Sequence, residues 1–545
     1  MQTVIVRAVP GAEASVQRAV ENLGGTVGQH LGIINGFTAE VPTNHVPWLS
    51  QNGQVNEVTP DAKGHLMGKD DGKPDPKATG TTKFDMGAPD GVAKQINSGD
   101  AKDATGAVMT GAGVDVALID SGVTPVPALA GANKVVNGPD LSMDSQSPSL
   151  ANLDGYGHGT HMAGLIAGND DNFTGVAPGA RVVNVKVGAH DGAVDVSQVI
   201  AAIDWVVQHR NDNGMNIRVL NLSYGTDSDQ SYVTDPLAYA AEVAWRYGIV
   251  VVVASGNDGG AAPHMADPAI DPFVIAVGAS DSNGTTGSGD DTIADFSTRG
   301  NQKRHIDVLA PGVSVQSLRD PGSEIDDQNP TARVGDELFK GSGTSQAAAI
   351  TSGAVALLLQ SRPDLTPDQV KALLTSTDRN AHVPSLKDVG VIDVHHALTA
   401  PVPPHATQSF DPAVGTGSLE AARGSSHLVD PISGQQLTGE KDVMGNRFNA
   451  ALVAADEADG SAWHDGGVFN GSRWTGSRWT DAGWEGSRWT GTSWTGSRWT
   501  SYDFSGNSWD GSRWTGSRWT GSRWTGSRWT GSRWTDAGWA GSEWA

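Results

Sequence analysis

Between residues 84 and 400, five short runs rich in Val and Ile recur: Val114–Ile119, Val182–Val187, Val219–Leu222, Ile249–Ala254 and Val274–Val277. They are apolar along their whole length rather than alternating, as strands buried on both faces are, and that implies a parallel sheet covered by helices. Helical stretches fall between and after them at His158–Ala167, Val196–Gln208, Pro236–Tyr247, Ala347–Gln360 and Pro367–Leu374. The last opens on Thr366-Pro367, a capping residue followed by a first-turn proline. The alternation predicts a three-layer α/β domain with a mostly parallel sheet. Such sheets carry their chemistry beyond the carboxyl ends of the strands.

Four polar residues stand at such ends or at helix starts. Asp120 closes the first run ahead of Ser121-Gly122, and His158 sits in Gly155-Tyr156-Gly157-His158-Gly159-Thr160-His161. Asn257 follows the fourth run in Ser255-Gly256-Asn257-Asp258-Gly259. Ser345 follows Gly341-Ser342-Gly343-Thr344 and leads into an Ala-rich helix, whose first N–H groups and positive dipole end face back toward it. Each also has a purely structural reading: an Asp that forms a turn, a packed His, a left-handed Asn and an N-cap Ser. His161, one turn after His158, reads as a packed structural histidine, because no further ligands at zinc spacing accompany it.

Taken together, the motifs resemble the subtilase family. They are Asp-Ser-Gly at 120–122, His-Gly-Thr-His-Met-Ala-Gly at 158–164, Ala-Ser-Gly-Asn at 254–257 and Gly-Thr-Ser-Gln-Ala-Ala at 343–348, in the family's order. Gly175-Val176-Ala177-Pro178, Val274–Ala279 and Leu309-Ala310-Pro311-Gly312 match as well. The resemblance covers roughly residues 84–400 and implies a subtilisin-like serine endopeptidase. Ser345 would be the nucleophile, His158 the general base, Asp120 its orienting acid, and Asn257 an oxyanion donor with the Ser345 N–H. Ser223, Tyr224, Gly225, Ala254, Ser255 and Gly256 would line the substrate groove and a first pocket that admits a large apolar side chain. The chemistry would need no cofactor. For structural calcium the resemblance offers the oxygen-rich loop Asn169–Thr174, here shorter than in relatives, and a solvated acidic turn is an equal reading. Two positions depart from the family: Gln346 replaces its usual Met, and Ala349 its usual Pro.

The flanks are built differently. Residues 1–66 read as β-α-β-β-α-β, a small ferredoxin-like α+β unit with a hairpin signal at Asn35-Gly36. They resemble a subtilisin propeptide, which would act as an intramolecular inhibitor and folding aid and be removed by the enzyme itself. Residues 67–83 are a polar linker, with Leu66-Met67 as a self-cleavage candidate. Residues 401–465 read as a disordered linker rich in Pro, Ala, Gly and Ser. From 466 to 545 a low-complexity repeat of Gly-Ser-Arg-Trp-Thr dominates, with an aromatic at every fifth position from Trp474 to Trp544. On one extended chain, successive Trp would face opposite sides. Fifteen of the 18 Trp lie beyond residue 460, a composition suited to stacking on cell-wall glycan or another polymer, or to a tail with no ligand.

Bulk properties narrow the function further. There is no Cys, so disulfide and thiol chemistry are excluded, and the net charge of −24 argues against general nucleic-acid binding. No apolar run approaches 18 residues, so no membrane span is expected. The family resemblance implies a secreted or cell-surface enzyme, whereas the start Met1–Arg7 reads as a strand rather than a signal peptide. Two other functions remain compatible with the sequence: a binding protein working through the Trp-rich tail, and a peptide ligase or cyclase on the same fold.

Overall fold

The computed structural model describes residues 1–9, 12–31, 36–49, 52–60, 86–99, 101–103, 105–146, 150–285, 290–380, 389–429, 436–443 and 447–463, together with ten two-residue strands between 488 and 544. The expected Asn35 end of the hairpin and the Leu66-Met67 cleavage candidate lie outside the described residues.

The N-terminal unit comprises β1 (Gln2–Ala8), α1 (Glu13–Asn22), β2 (Thr26–Leu31), β3 (Gly36–Val41), α2 (Val46–Leu49) and β4 (Val55–Pro60). Its strands pair antiparallel in the order β2–β3–β1–β4. Val4, Val6, Val16, Val20, Phe37, Val41 and Leu49 form a small core of its own.

The second core is far larger. After α3 (Pro89–Gln95) come β5 (Asp115–Asp120), β6 (Val135–Asp140), α4 (His158–Ala167), β7 (Arg181–Lys186), α5 (Val196–His209), β8 (Ile217–Leu222), α6 (Pro236–Arg246), β9 (Val250–Ala254) and β10 (Ile275–Asp281). The rest of the domain holds β11 (Thr292–Ile293), β12 (Val308–Pro311), β13 (Val315–Leu318), α7 (Glu324–Gln328), β14 (Arg333–Val334), β15 (Leu338–Gly341), α8 (Thr344–Ser361), α9 (Pro367–Thr377), β16 (Arg379–Asn380), β17 (Gly390–Val391) and α10 (Val394–Thr399). The main sheet runs β16–β17–β12–β10–β9–β8–β5–β7–β6, with β11 beside β10. Every pairing in it is parallel except β10 with β11 and β16 with β17. Helices α4 and α8 pack together, and α5 and α6 form a second packed pair.

Local chemistry fixes the helix starts. Asp195 and Gln198 make a capping box for α5, Asp235 caps α6 ahead of Pro236, and Thr366 and Gln369 box the start of α9. Helix α8 starts earlier than its apolar pattern implies, at Thr344 rather than Ala347, because the Asn257 Oδ1 accepts from the Thr344 backbone N–H at 3.0 Å and holds the first turn. The buried helix runs unbroken through Ala349.

Residues 401–463 depart from expectation. The described part of this stretch is not a free linker. It carries α11 (Leu419–Arg423) and α12 (Ala450–Asp459), and Ala413, Leu419, Ala422, Ala454 and Trp463 join the large core. Arg423 is fully buried, with its Nε 2.6 Å from Asp195 Oδ2. The Tyr239 and Tyr247 hydroxyls donate to the Ala454 and Ala458 carbonyls, and that seats α12 on α6.

The repeat tail also differs from a single extended strand. Among the described residues, two-residue strands recur every five residues from Arg488 to Trp529, and they pair in parallel at an offset of fifteen: Trp494 with Trp509 and Trp509 with Trp524, and Trp499 with Trp514, Trp514 with Trp529 and Trp529 with Trp544. Pairing at that offset divides the described strands among three sheets, so aromatic positions recur in register along each sheet rather than alternating along one ribbon.

Candidate active site

Strands β9, β8 and β5 are neighbours, so their carboxyl ends lie side by side. Asp120 is the last residue of β5, the Ser223–Gly225 segment follows β8, and Asn257 comes three residues after β9. The His158 side chain reaches this edge from the first position of α4. Its Nδ1 lies 2.8 and 3.0 Å from the two Asp120 carboxylate oxygens, and both residues are buried. Small residues make this approach feasible. A Cβ on Gly159 would fall 2.1 Å from the Gly122 carbonyl oxygen, so only glycine lets the turn of α4 close on the end of β5.

Burial disfavours the His158 imidazolium, yet the Asp120 charge and hydrogen bond, with a smaller contribution from Asp154, outweigh it and leave the pKa raised. Among the described residues, the His158 Nε2 has no hydrogen-bond partner. His161 behaves in the opposite way. Burial first, then the neighbouring His158 charge, push its pKa down to about 3, so it stays neutral inside the fold.

Ser345 is the second residue of α8 and buried, and α8 packs against α4, which carries His158. Asn257 is drawn to the same helix start. Its Oδ1 accepts from both the Thr344 N–H and the Thr344 Oγ1, each at 3.0 Å, while Gly256 N–H donates to the Thr344 hydroxyl at 3.3 Å. Gly256 has φ +110°, which turns the chain after β9 so that Asn257 meets α8.

The groove residues differ in what they can offer. The Ser223 side chain accepts from Asn221, the Ser255 hydroxyl donates to the Thr298 carbonyl, and Tyr224 is 1% exposed. Their side chains face the protein body, so an extended ligand at this edge would meet backbone and small residues rather than these side chains.

Two features went unread in the sequence. Asp154, in the Gly-rich loop ahead of His158, is buried and accepts from Ser121 Oγ at 2.7 Å, Gly157 N–H at 2.7 Å and Thr160 N–H at 2.6 Å. The Ser121 backbone N–H in turn donates to Asp120, and the Ser121 Oγ accepts from Gly159 N–H, so Asp154 braces both triad candidates. An Asp four residues before a Gly-flanked His was the available signal. The second feature is the segment around α7, whose Glu324 and Ile325 N–H groups bond the Gly155 and Tyr156 carbonyls beside His158.

The loop Asn169–Thr174 is closed by its own turn. The Asp170 Oδ1 is occupied by the Asn172 and Phe173 N–H groups of its own turn, and no group of three or more His, Cys, Asp or Glu among the described residues is placed to hold a metal. Among the described residues, no helix is long and apolar enough to cross a membrane.

Known proteins resemble this chain over the α/β domain. A model of the subtilase family matches residues 111–397. Serine protease AprX of Bacillus subtilis is 39% identical over 306 residues, which span 54% of this chain and 68% of that protein. Subtilisin DY of Bacillus licheniformis is 35% identical over 53% of this chain and 91% of its own length. A crystal structure of fervidolysin from Fervidobacterium pennivorans, a keratinolytic enzyme related to subtilisin, aligns at a TM-score of 0.47 and 25% identity over 74% of this chain and 61% of that one. With a family match across half its length, this chain belongs to the subtilase family and is a subtilisin-like serine protease.

Proposed function

We propose that the chain is a self-processed serine endopeptidase in which Ser345 attacks the scissile carbonyl and His158 takes its proton and later returns it to the leaving amine. Asp120 holds His158 in the tautomer with the proton on Nδ1 and stabilises the imidazolium. The Ser345 N–H and the Asn257 side chain stabilise the oxyanion. Since Thr344 occupies the Asn257 Oδ1, the amide's NH₂ end is the donor toward that charge. The observation that carries this reading is the contact of His158 Nδ1 with both Asp120 oxygens, on a helix packed against the one whose first turn holds Ser345.

Incubation of the purified chain with casein tests the reading. Proteolysis should occur and should stop after treatment with a serine-directed inhibitor. Sequencing of the fragments should show cuts after Leu, Met, Phe and Tyr, because Gly225 and Ala254 leave room beside the backbone edge. A dominant cut after basic residues would contradict that pocket.

Gln346 follows the nucleophile directly and is 4% exposed. Where the family carries an oxidisable Met, sulfoxide would introduce a bulky polar group, and a glutamine has no such chemistry. Activity is therefore expected to survive mild peroxide that inactivates a Met-bearing subtilisin. A half-life equal to that of the subtilisin would refute it.

The N-terminal unit is read as the inhibitory propeptide, the chain as secreted or displayed at the cell surface, and the tail as a glycan-binding segment. Its in-register aromatic positions support the last role. A Ser345→Ala chain should co-sediment with purified cell walls, and the same chain ending at residue 463 should not. Equal retention of the two would refute the tail's role.

A further inference from the structure

The extension beyond residue 400 is fastened to the segment that follows the groove residues Ser223–Gly225. Thr226 donates its hydroxyl to the Ala422 carbonyl at 2.6 Å. The Asp227 carboxylate accepts from the Ser425 N–H at 2.6 Å and the Ser425 hydroxyl at 2.7 Å. Gln230 exchanges two hydrogen bonds with the Ser418 backbone, and the Val233 and Thr234 carbonyls accept from Val414 and Gly417. Thr226 also pairs through its backbone with Asp267, and Ala266, the residue before it, donates to the Ser255 carbonyl. Both sides of the groove thus meet at Thr226, and Thr226 is held by the extension.

Arg423 anchors that extension. It closes α11, is fully buried, and gives two bonds to Asp195, the N-cap of α5, and others to the Gly439 and Lys441 carbonyls and to Glu420. A buried guanidinium is tolerated only when its donors are satisfied in a fixed geometry, so the pair with Asp195 sets where α11 sits. Its neighbour Ala422 supplies the carbonyl that Thr226 uses. The Tyr224 hydroxyl lies within the field of Asp195, Asp267, Arg423 and Asp235 and has no hydrogen-bond partner among the described residues.

We propose that Arg423 is a positioning residue for substrate: by fixing α11 against α5, it holds Thr226 and Asp227, and through them the Ser223–Gly225 edge on which a peptide backbone pairs. The proposal rests on the reading of Ser223–Gly225 as the groove edge. It assigns residues 411–429 and 436–443 to the substrate-binding machinery, at a distance from the reacting groups. The extension's helices pack on α5 and α6, whereas His158 and Ser345 sit on α4 and α8. Loosening Arg423 should therefore impair binding of extended peptides more than acylation.

The test uses the full chain with Arg423→Met, Arg423→Lys and Thr226→Val, assayed on a peptide of at least four residues before the cut and by labelling with a small fluorophosphonate. Arg423→Met is expected to raise KM about tenfold with kcat nearly unchanged and labelling unaltered, the pattern of lost uniform binding. Arg423→Lys should recover part of that loss, and Thr226→Val should raise KM in the same direction by about threefold. A folded Arg423→Met chain with reduced thermal stability and unchanged KM would overturn the proposal and leave Arg423 a structural residue only. If Arg423→Met does not fold, Thr226→Val decides, and an unchanged KM there overturns the proposal. Failure of the unmodified chain to label would instead overturn the assignment of Ser345.

Discussion

Replacing Ser345 with alanine is expected to lower kcat on casein by about six orders of magnitude, the size of the effect in subtilisin itself. Ser345 lies in the first turn of α8, at the positive end of eighteen residues of aligned peptide dipoles. Alanine fits that buried position without loss of the helix, so the fold should persist while the acyl-enzyme cannot form. Two readouts follow from one variant. Casein hydrolysis should vanish, and the purified protein should remain at full length, since the bond between the N-terminal unit and the domain would go uncut. If the pure Ser345→Ala chain were still shortened near residues 61–85, self-processing would be the wrong account, even if Ser345 proved to be the nucleophile.

The sequence made the catalytic candidates legible because each sits where local chemistry is loud. Asp120, His158, Asn257 and Ser345 are flanked by glycine or small residues at strand ends and helix starts, positions that can be read without knowing what packs against them. The parallel strands were legible for a similar reason: unbroken Val and Ile runs leave little but a sheet covered on both faces. The edge strand β6 was not, since Val135–Asp140 is half exposed and interrupted by Gly138-Pro139.

Asp154 escaped notice because an aspartate in a Gly-rich loop is indistinguishable from a turn former until its three donors are in view. The extension escaped for a different reason. It is held by side chains bonded to carbonyls and by a buried Arg423–Asp195 pair across 228 positions of sequence, and neither leaves a periodic pattern. In the tail, a period of five is obvious, but whether the backbone pairs after five, ten or fifteen residues is a non-local choice. The observed offset of fifteen replaces the reading of one ribbon with alternating faces.

The Asp120→Asn variant probes the site's electrostatics rather than its nucleophile. Asparagine keeps the shape of the side chain, but it offers one acceptor and one donor where His158 Nδ1 now meets two acceptors at 2.8 and 3.0 Å. The imidazole can then sit with its proton on the wrong nitrogen, and the imidazolium formed during attack loses its counter-charge. A drop in kcat of about four orders of magnitude near neutral pH is expected. The pH profile adds a signed expectation. Catalysis needs neutral His158, so activity falls as pH drops through its pKa. Burial pulls that pKa down, while Asp120, with help from Asp154, lifts it above the ordinary imidazole value. Removal of the Asp120 charge leaves burial less opposed, so the acid limb of kcat/KM in the free enzyme should move to lower pH while the overall rate falls. An Asp154→Asn chain should shift the limb in the same direction but by less, because Asp154 contributes only a weaker, indirect charge. A limb that stays in place in Asp120→Asn would mean that another group governs the His158 proton, and the pairing of these two residues would then be structural rather than catalytic.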